Sequence, residues 1–200
     1  AERYGVPIID DKVVSVSLEE HRYTTTTASG NRYTTPTMIL AVGRERRKLN
    51  LTHEDEWTGR GVSYCSTCDA PLHRGNEVIV VGGGNAATEG AILLASYADK
   101  VYLIYRGNEF TRPEPVILRR LSETPNIIPI MNTNVVALTG NDGLSGVELD
   151  KDYLGSRKLS VDGIFIEIGA DPRVELANQL GVELNEGNEV IVDKNMKTNI

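Results

Sequence analysis

The stretch that most restricts the fold of this chain is Glu77-Val-Ile-Val-Val-Gly82-Gly83-Gly84-Asn85-Ala86-Ala87. It is an apolar run that breaks into glycines and then resumes with helix formers. The apolar run predicts a strand over 77–81. Apolar residues at helical spacing (Ala87, Ala91, Leu94, Ala95) predict a helix over 85–97. Val101-Tyr102-Leu103-Ile104 supplies the next strand, so the segment reads as a βαβ unit with a glycine turn at its first corner. In Gly82-x-Gly84-x-x-Ala87 the first glycine makes the tight turn and the second lets the backbone approach a pyrophosphate. The small third residue lets helix pack on strand. Free N–H groups at the helix start would face the phosphates. Gly82, Gly83, Gly84, Asn85 and Ala87 are therefore candidate cofactor-binding residues. A glycine turn that binds nothing is the alternative.

Cofactor choice in such a unit is read near the end of the second strand. Here the strand runs into Tyr105-Arg106-Gly107, with Arg112 further on, and the nearest acid, Glu109, lies beyond the strand end. Arginine without a strand-end carboxylate favours the 2′-phosphate of NADP, because a guanidinium clamps a pair of phosphate oxygens. Arg106 and Arg112 join the candidates.

The only two cysteines stand just upstream, in Tyr64-Cys65-Ser66-Thr67-Cys68-Asp69. A Cys-x-x-Cys can close a disulfide within one turn and supply a thiolate for exchange. Asp69, directly behind, is placed to take or give the proton. Cys65, Cys68 and Asp69 are thus candidate catalytic residues. Two other readings stay open: inert buried thiols, or half of a zinc site. Zinc needs four ligands, and His73 is the only imidazole nearby.

On either side of this centre the chain reads as follows. Residues 13–18, 22–27 and 32–35 are β-rich, with Ala28-Ser29-Gly30-Asn31 as a hairpin turn, and 38–42 is a continuous apolar strand ending at Gly43. Residues 44–60 are polar and predict a solvated crossing between domains, with Trp57 as a packing anchor. A helix over 113–124 follows the βαβ unit. Strands are expected at 127–130, 134–138, 144–149 and 163–169, a short helix at 174–180 and a last strand at 189–192. His21, His53 and His73 lie in polar surroundings and are expected at the surface.

A net charge of −7 argues against nucleic acid or an anionic membrane as partner. No apolar run approaches the roughly 20 residues of a membrane span. Ala1-Glu2-Arg3-Tyr4 lacks a signal pattern. With cysteines only in the close pair, a cytoplasmic location is expected.

With these residues in view, the sequence resembles the low-molecular-weight thioredoxin reductases of bacteria and archaea. The resemblance rests on Ala41-Val42-Gly43, on 59–69 with its Cys-Ser-Thr-Cys-Asp, on 80–89 with the glycine turn, on 101–106 and on 163–172, in that order. It implies an α/β fold, FAD/NAD(P)-binding and Rossmann-like (three-layer ββα), with an inserted NADP-binding domain. Residues 1–46 would be part of the FAD domain, 47–169 the inserted domain with the cysteine pair, and 170–200 the return into the FAD domain. It assigns Cys68 as the thiol facing the flavin, Cys65 as the attacking thiol and Asp69 as the proton carrier. Arg106 matches a 2′-phosphate ligand, and Ile168 and Gly169 match a strand end beside the nicotinamide. FAD and NADP are the implied cofactors, thioredoxin or a similar small protein the implied partner, and a homodimer the implied assembly. Two departures stand out. The family's His-Arg-Arg with a further Arg three residues on reads here Tyr105-Arg106-Gly107 and then Thr111, with Arg112 displaced by one. The first FAD-binding glycine motif and the final Gly-Asp motif have no counterpart, so the expectation is a fragment of a longer chain that holds FAD poorly. Three alternatives remain: another electron donor (ferredoxin-type or NADH), a small-dithiol oxidase, or a non-catalytic NADP(H)-sensing module.

Overall fold

The computed structural model describes residues 2–200, and the chain divides into two compact units. The first combines residues 1–45 with 171–200, and the second is Arg46–Ala170. In the first unit β1 (Val13–Glu19), β2 (Arg22–Thr27) and β3 (Arg32–Thr35) form an antiparallel meander. Strand β4 (Arg44–Arg46) leads into the second unit.

That second unit carries β5 (Val62–Ser63), α1 (Ser66–Asp69), β6 (Glu77–Val81), α2 (Asn85–Leu94), β7 (Lys100–Tyr105), α3 (Pro115–Ser122) and β8 (Ile127–Met131). These are followed by β9 (Val135–Gly140), β10 (Leu144–Tyr153), β11 (Ser156–Ser160) and β12 (Gly163–Ile166). Strand β13 (Ala170–Pro172) pairs with β4, and α4 (Glu175–Gln179) belongs to the first unit, where its Gln179 accepts a hydrogen bond from the N–H of Val16 on β1.

Five strands make one parallel sheet in the order β5-β12-β6-β7-β8. Their apolar runs are continuous because both faces are covered. Val78, Val80, Val101, Leu103 and Phe165 meet Ala87, Ala91 and Leu94 of α2 and Leu121 of α3. The alternate residues Ile79, Val81, Tyr102, Ile104, Ile164 and Ile166 meet Val135, Leu138, Val147 and Leu149 of the antiparallel sheet β9-β10-β11. The period of two along each strand thus sorts side chains between a helical layer and a second sheet, giving the three-layer ββα form. The α/β, Rossmann-like fold expected from the sequence is the fold observed.

Several local expectations are corrected. Residues 38–42 form no strand: Ile39 is 92% exposed, and among the described residues no strand pairs with this segment, so its apolar composition is unmatched by any ladder. Residues 189–192 are not a strand either, apart from a single bridge from Leu184 to Val190. Asn185 Oδ1 instead accepts the N–H groups of Gly187 (2.8 Å) and Glu189 (2.9 Å), a side-chain turn that competes with pairing. Helix 85–97 stops at Leu94, and helix 113–124 contracts to 115–122 with Pro115 at its first turn. Strand 163–169 leaves the sheet after Ile166, ahead of Gly169 at φ 97°.

The polar crossing over 44–60 is not wholly solvated. Trp57 is buried as expected, stacked on His53 with centroids 4.6 Å apart, and Glu54 is also buried, at 2% exposure. Glu54 accepts hydrogen bonds from the N–H of Leu49 (2.9 Å), the N–H of Leu51 (3.0 Å) and the hydroxyl of Tyr64 (2.6 Å). Burial, and then this carboxylate, hold the Tyr64 phenol well above its usual pKa. His73 is half-buried rather than superficial, edge-on to Phe165 at 5.1 Å.

Candidate redox and nucleotide site

The order of the parallel sheet determines which loops meet. The chain builds outward from β6 through β7 to β8, then crosses back to place β12 on the other side of β6. The direction of winding reverses between β6 and β12, and the crevice beyond their carboxyl ends is where such sheets bind ligands. Three segments leave the sheet at this edge: 82–87 after β6, 167–169 after β12, and the cysteine turn after β5.

In the glycine turn, Gly82 has φ 146°, and a Cβ there would lie 2.3 Å from the Glu167 carbonyl oxygen and 2.8 Å from the Ala87 Cβ. No larger residue fits at Gly82, and Ala87 must be small for the same reason. Gly84 caps α2 through its backbone, with open space where a side chain would stand and no side-chain cap on the helix. The first-turn N–H groups of α2 are thus free of side-chain acceptors, and the turn fits a pyrophosphate. Asn85 Oδ1 instead accepts the N–H of Glu114, anchoring the loop before α3.

The specificity loop differs from a plain arginine clamp. The ring of Tyr105 lies against Gly83, where a Cβ would come 2.2 Å from Cε2, and against Gly107, where it would come 2.6 Å from Cε1. It stacks on Phe110 at 5.4 Å. Arg106 and Arg112 are exposed, neither making an ion pair among the described residues. Gly169 follows β12, and its carbonyl accepts the N–H of Arg47 at 3.0 Å; Ile168 packs against the β9–β10 side of the core. Gly43, with φ 70° and open space around it, belongs to the first unit.

Cys65 and Cys68 are joined as a disulfide, with Cα atoms 5.3 Å apart. Among the described residues no group of side chains is arranged to hold a metal ion. Cys65 is half-buried and Cys68 exposed at the first turn of α1, where the Cys68 N–H donates to Cys65 Sγ at 3.2 Å. Two serines hold the turn, and the motif did not announce them. Ser63 donates its hydroxyl to Asp69 Oδ2 at 2.6 Å and accepts the Cys65 N–H at 3.1 Å, so one side chain ties the Cys65 backbone to the carboxylate. Ser66, buried between the cysteines, donates its N–H (3.2 Å) and its hydroxyl (2.8 Å) to Glu167 Oε1. Gly90 makes room for it, since a Cβ there would lie 2.6 Å from the Ser66 hydroxyl. The signal for Ser63 and Ser66 was only their nearness to the cysteines; for Glu167 there was none, because it is joined through the sheet across 101 residues.

The arrangement is matched by the pyridine nucleotide-disulphide oxidoreductase model over residues 4–200. The chain belongs to the pyridine nucleotide-disulphide oxidoreductase family. Within it, the chain is 35% identical to the thioredoxin reductase of Streptomyces clavuligerus over 202 aligned positions, covering 100% of this chain and 62% of that protein. Among solved structures it resembles the thioredoxin reductase of Lactococcus lactis, with a TM-score of 0.81 and 30% identity over 100% of this chain and 65% of that one. It also resembles a ferredoxin-flavin thioredoxin reductase from Clostridium acetobutylicum, with a TM-score of 0.51 and 30% identity over 100% and 63%. The chain therefore spans a little under two thirds of the length of these relatives.

For this family a flavin dinucleotide is implied beside the nicotinamide nucleotide. Among the described residues of the first unit there is no strand–glycine–helix turn of the kind seen at Gly82.

Proposed function

We propose that this chain is the nucleotide-binding and thiol-exchange part of a flavoprotein disulfide reductase. It would pass electrons from NADPH, through FAD, to the Cys65–Cys68 disulfide and on to thioredoxin or a similar small redox protein. The observation that carries this reading is the closed Cys65–Cys68 pair, held in one unit with the Gly82 turn and backed by Asp69. Arg46–Ala170 is then the inserted NADP domain, and a homodimer in the cytoplasm is the proposed setting.

FAD, when bound, would supply the two electrons that open the disulfide. The chain's own residues do the rest. Gly84 and the N-terminus of α2 hold a pyrophosphate, and Arg106 and Arg112 face solvent where a 2′-phosphate would sit. Once reduced, Cys65 as thiolate attacks one sulfur of the partner's disulfide and the other partner sulfur leaves as a thiolate. Cys68 then attacks Cys65, reforming the intramolecular bond and releasing the partner's second sulfur. Asp69, fixed by Ser63, gives a proton to the leaving sulfur and takes one from the entering thiol. Replacing Cys68 by Ser is expected to abolish turnover of a thioredoxin-type substrate while nucleotide affinity is retained; undiminished turnover would sink the mechanism.

A second reading keeps the fold and disulfide but draws electrons from a ferredoxin-type donor. It is favoured by the Tyr105 ring seated on Gly83 and by the shortened arginine set. Reduction of the loaded protein by NADPH at a rate that supports turnover would remove it.

A further inference from the structure

Glu167 stands where the two halves of the site meet. Its N–H bonds to the Val81 carbonyl (2.9 Å), its own carbonyl packs on Gly82, and its carboxylate reaches back to Ser66 between the cysteines. One residue thus joins the end of β6, the glycine turn and the redox turn. A glutamine could accept the same two hydrogen bonds, so the geometry alone does not require a charge here. The charge has a consequence, because the carboxylate opens onto a cavity of about 520 Å³ that Cys65 also lines. The other charged groups on that cavity are Arg46, Arg120 and Glu89, and Asp69 follows Cys65 on its own element. The two arginines favour a thiolate at Cys65; Glu89, Asp69 and Glu167 oppose it. Of these, only Glu167 binds the residue next to Cys65. By taking the Ser66 N–H it also withdraws a donor that a Cys65 thiolate could use.

We propose that Glu167 is a positioning residue of the redox site: it seats the turn between the cysteines and, by its charge, holds the reduced Cys65 toward the thiol form. This rests on the disulfide-reductase reading. Reduction of the disulfide takes two electrons and two protons, supplied in the test by a small dithiol that itself becomes a disulfide, and leaves two thiols. A restrained thiolate population at Cys65 weights the pair toward the closed disulfide.

The test is the pH profile of iodoacetamide alkylation at Cys65, measured on the full chain in a Cys68→Ser background so that one thiol reports alone. Glu167→Gln keeps the acceptor and removes the charge. It should move the midpoint to lower pH and raise the rate at neutral pH by about threefold or more. Glu167→Ala should shift the midpoint the same way, and Glu167→Asp, which keeps the charge, should stay with the parent. A Glu167→Gln or Glu167→Ala profile superimposed on the parent's would overturn the proposal, as would an Asp variant that shifts as far as Gln. A thiol count on the unmutated chain separates the two levels of the claim. Two free thiols before any reductant would refute the disulfide reading itself. Two thiols appearing only after reductant, together with superimposed alkylation profiles, would refute the role of Glu167 alone.

Discussion

At the scale of single residues, the site is built by small groups that tolerate no replacement and by polar groups that hold one another. Gly82 has its missing side chain pressed against the Glu167 carbonyl and Ala87. Gly82→Ala is therefore expected to cost about 1–3 kcal/mol in urea unfolding, through clash and the positive φ together. Asp69→Asn removes the proton carrier but keeps an acceptor for Ser63. It should slow dithiol release to the partner far more than it slows opening of the disulfide, and stopped-flow traces with both phases unchanged would argue against proton transfer. His73 offers a pH test. Burial holds its pKa below 6.5, only partly offset by Asp69 and Asp162. The folded protein then binds fewer protons than the unfolded chain, so this contribution is intact above 6.5 and is lost as pH falls through the lowered value. The urea midpoint should drop between neutral pH and the acid side of that window, and His73→Gln should flatten the drop. How much of this was legible differs by residue. Cys65, Cys68, Gly82, Gly84 and Ala87 could be singled out because spacing along the chain encodes a turn. Ser66 and Glu167 could not be ranked, because their bonds form only when β5, β12 and β6 come side by side; Ser63 bonds locally to Asp69 and to the Cys65 N–H, but nothing in its residue type marks it for that role.

At the scale of elements, strand β6 with helix α2 is the unit on which the nucleotide turn depends. Its pattern was readable because Val78 to Val81 are all buried on one face or the other and α2 presents Ala87, Ala91 and Leu94 to the sheet. Leu94→Ala in α2 is expected to lose about 2–5 kcal/mol by leaving a cavity under the helix. Such a loss, measured by denaturant titration, should weaken nucleotide binding only through the folded fraction. The crossing segment was less legible. Glu54 reads as one of several surface acids in His53-Glu54-Asp55-Glu56, yet it is the buried acceptor for three donors. Glu54→Ala should therefore destabilise by about 3 kcal/mol, much more than Glu56→Ala on the exposed side. Equal, small effects from the two substitutions would contradict this account. The apolar 38–42 and 189–192 runs misled for the opposite reason: composition supplies strand formers, but a strand also needs a neighbour with free hydrogen-bonding groups.

At the scale of the molecule, the winding of the sheet brings the cysteine turn and the glycine turn, over a dozen residues apart in sequence, to one edge. β5, β12 and β6 are adjacent and parallel, so the loops that leave them open on one edge. That adjacency was not legible in local pattern, since β5 is only two residues long and offers no periodicity. The central claim, that this edge carries electrons from a nicotinamide nucleotide to the Cys65–Cys68 pair, is tested most directly by one titration. Under anaerobic conditions the flavin-loaded protein is mixed with NADPH and then NADH while flavin absorbance and free thiols are followed. The account predicts bleaching with NADPH and the appearance of two thiols. A flavin that stays oxidised with both nucleotides, yet bleaches with reduced ferredoxin, would contradict it and move the electron donor away from the Gly82 turn.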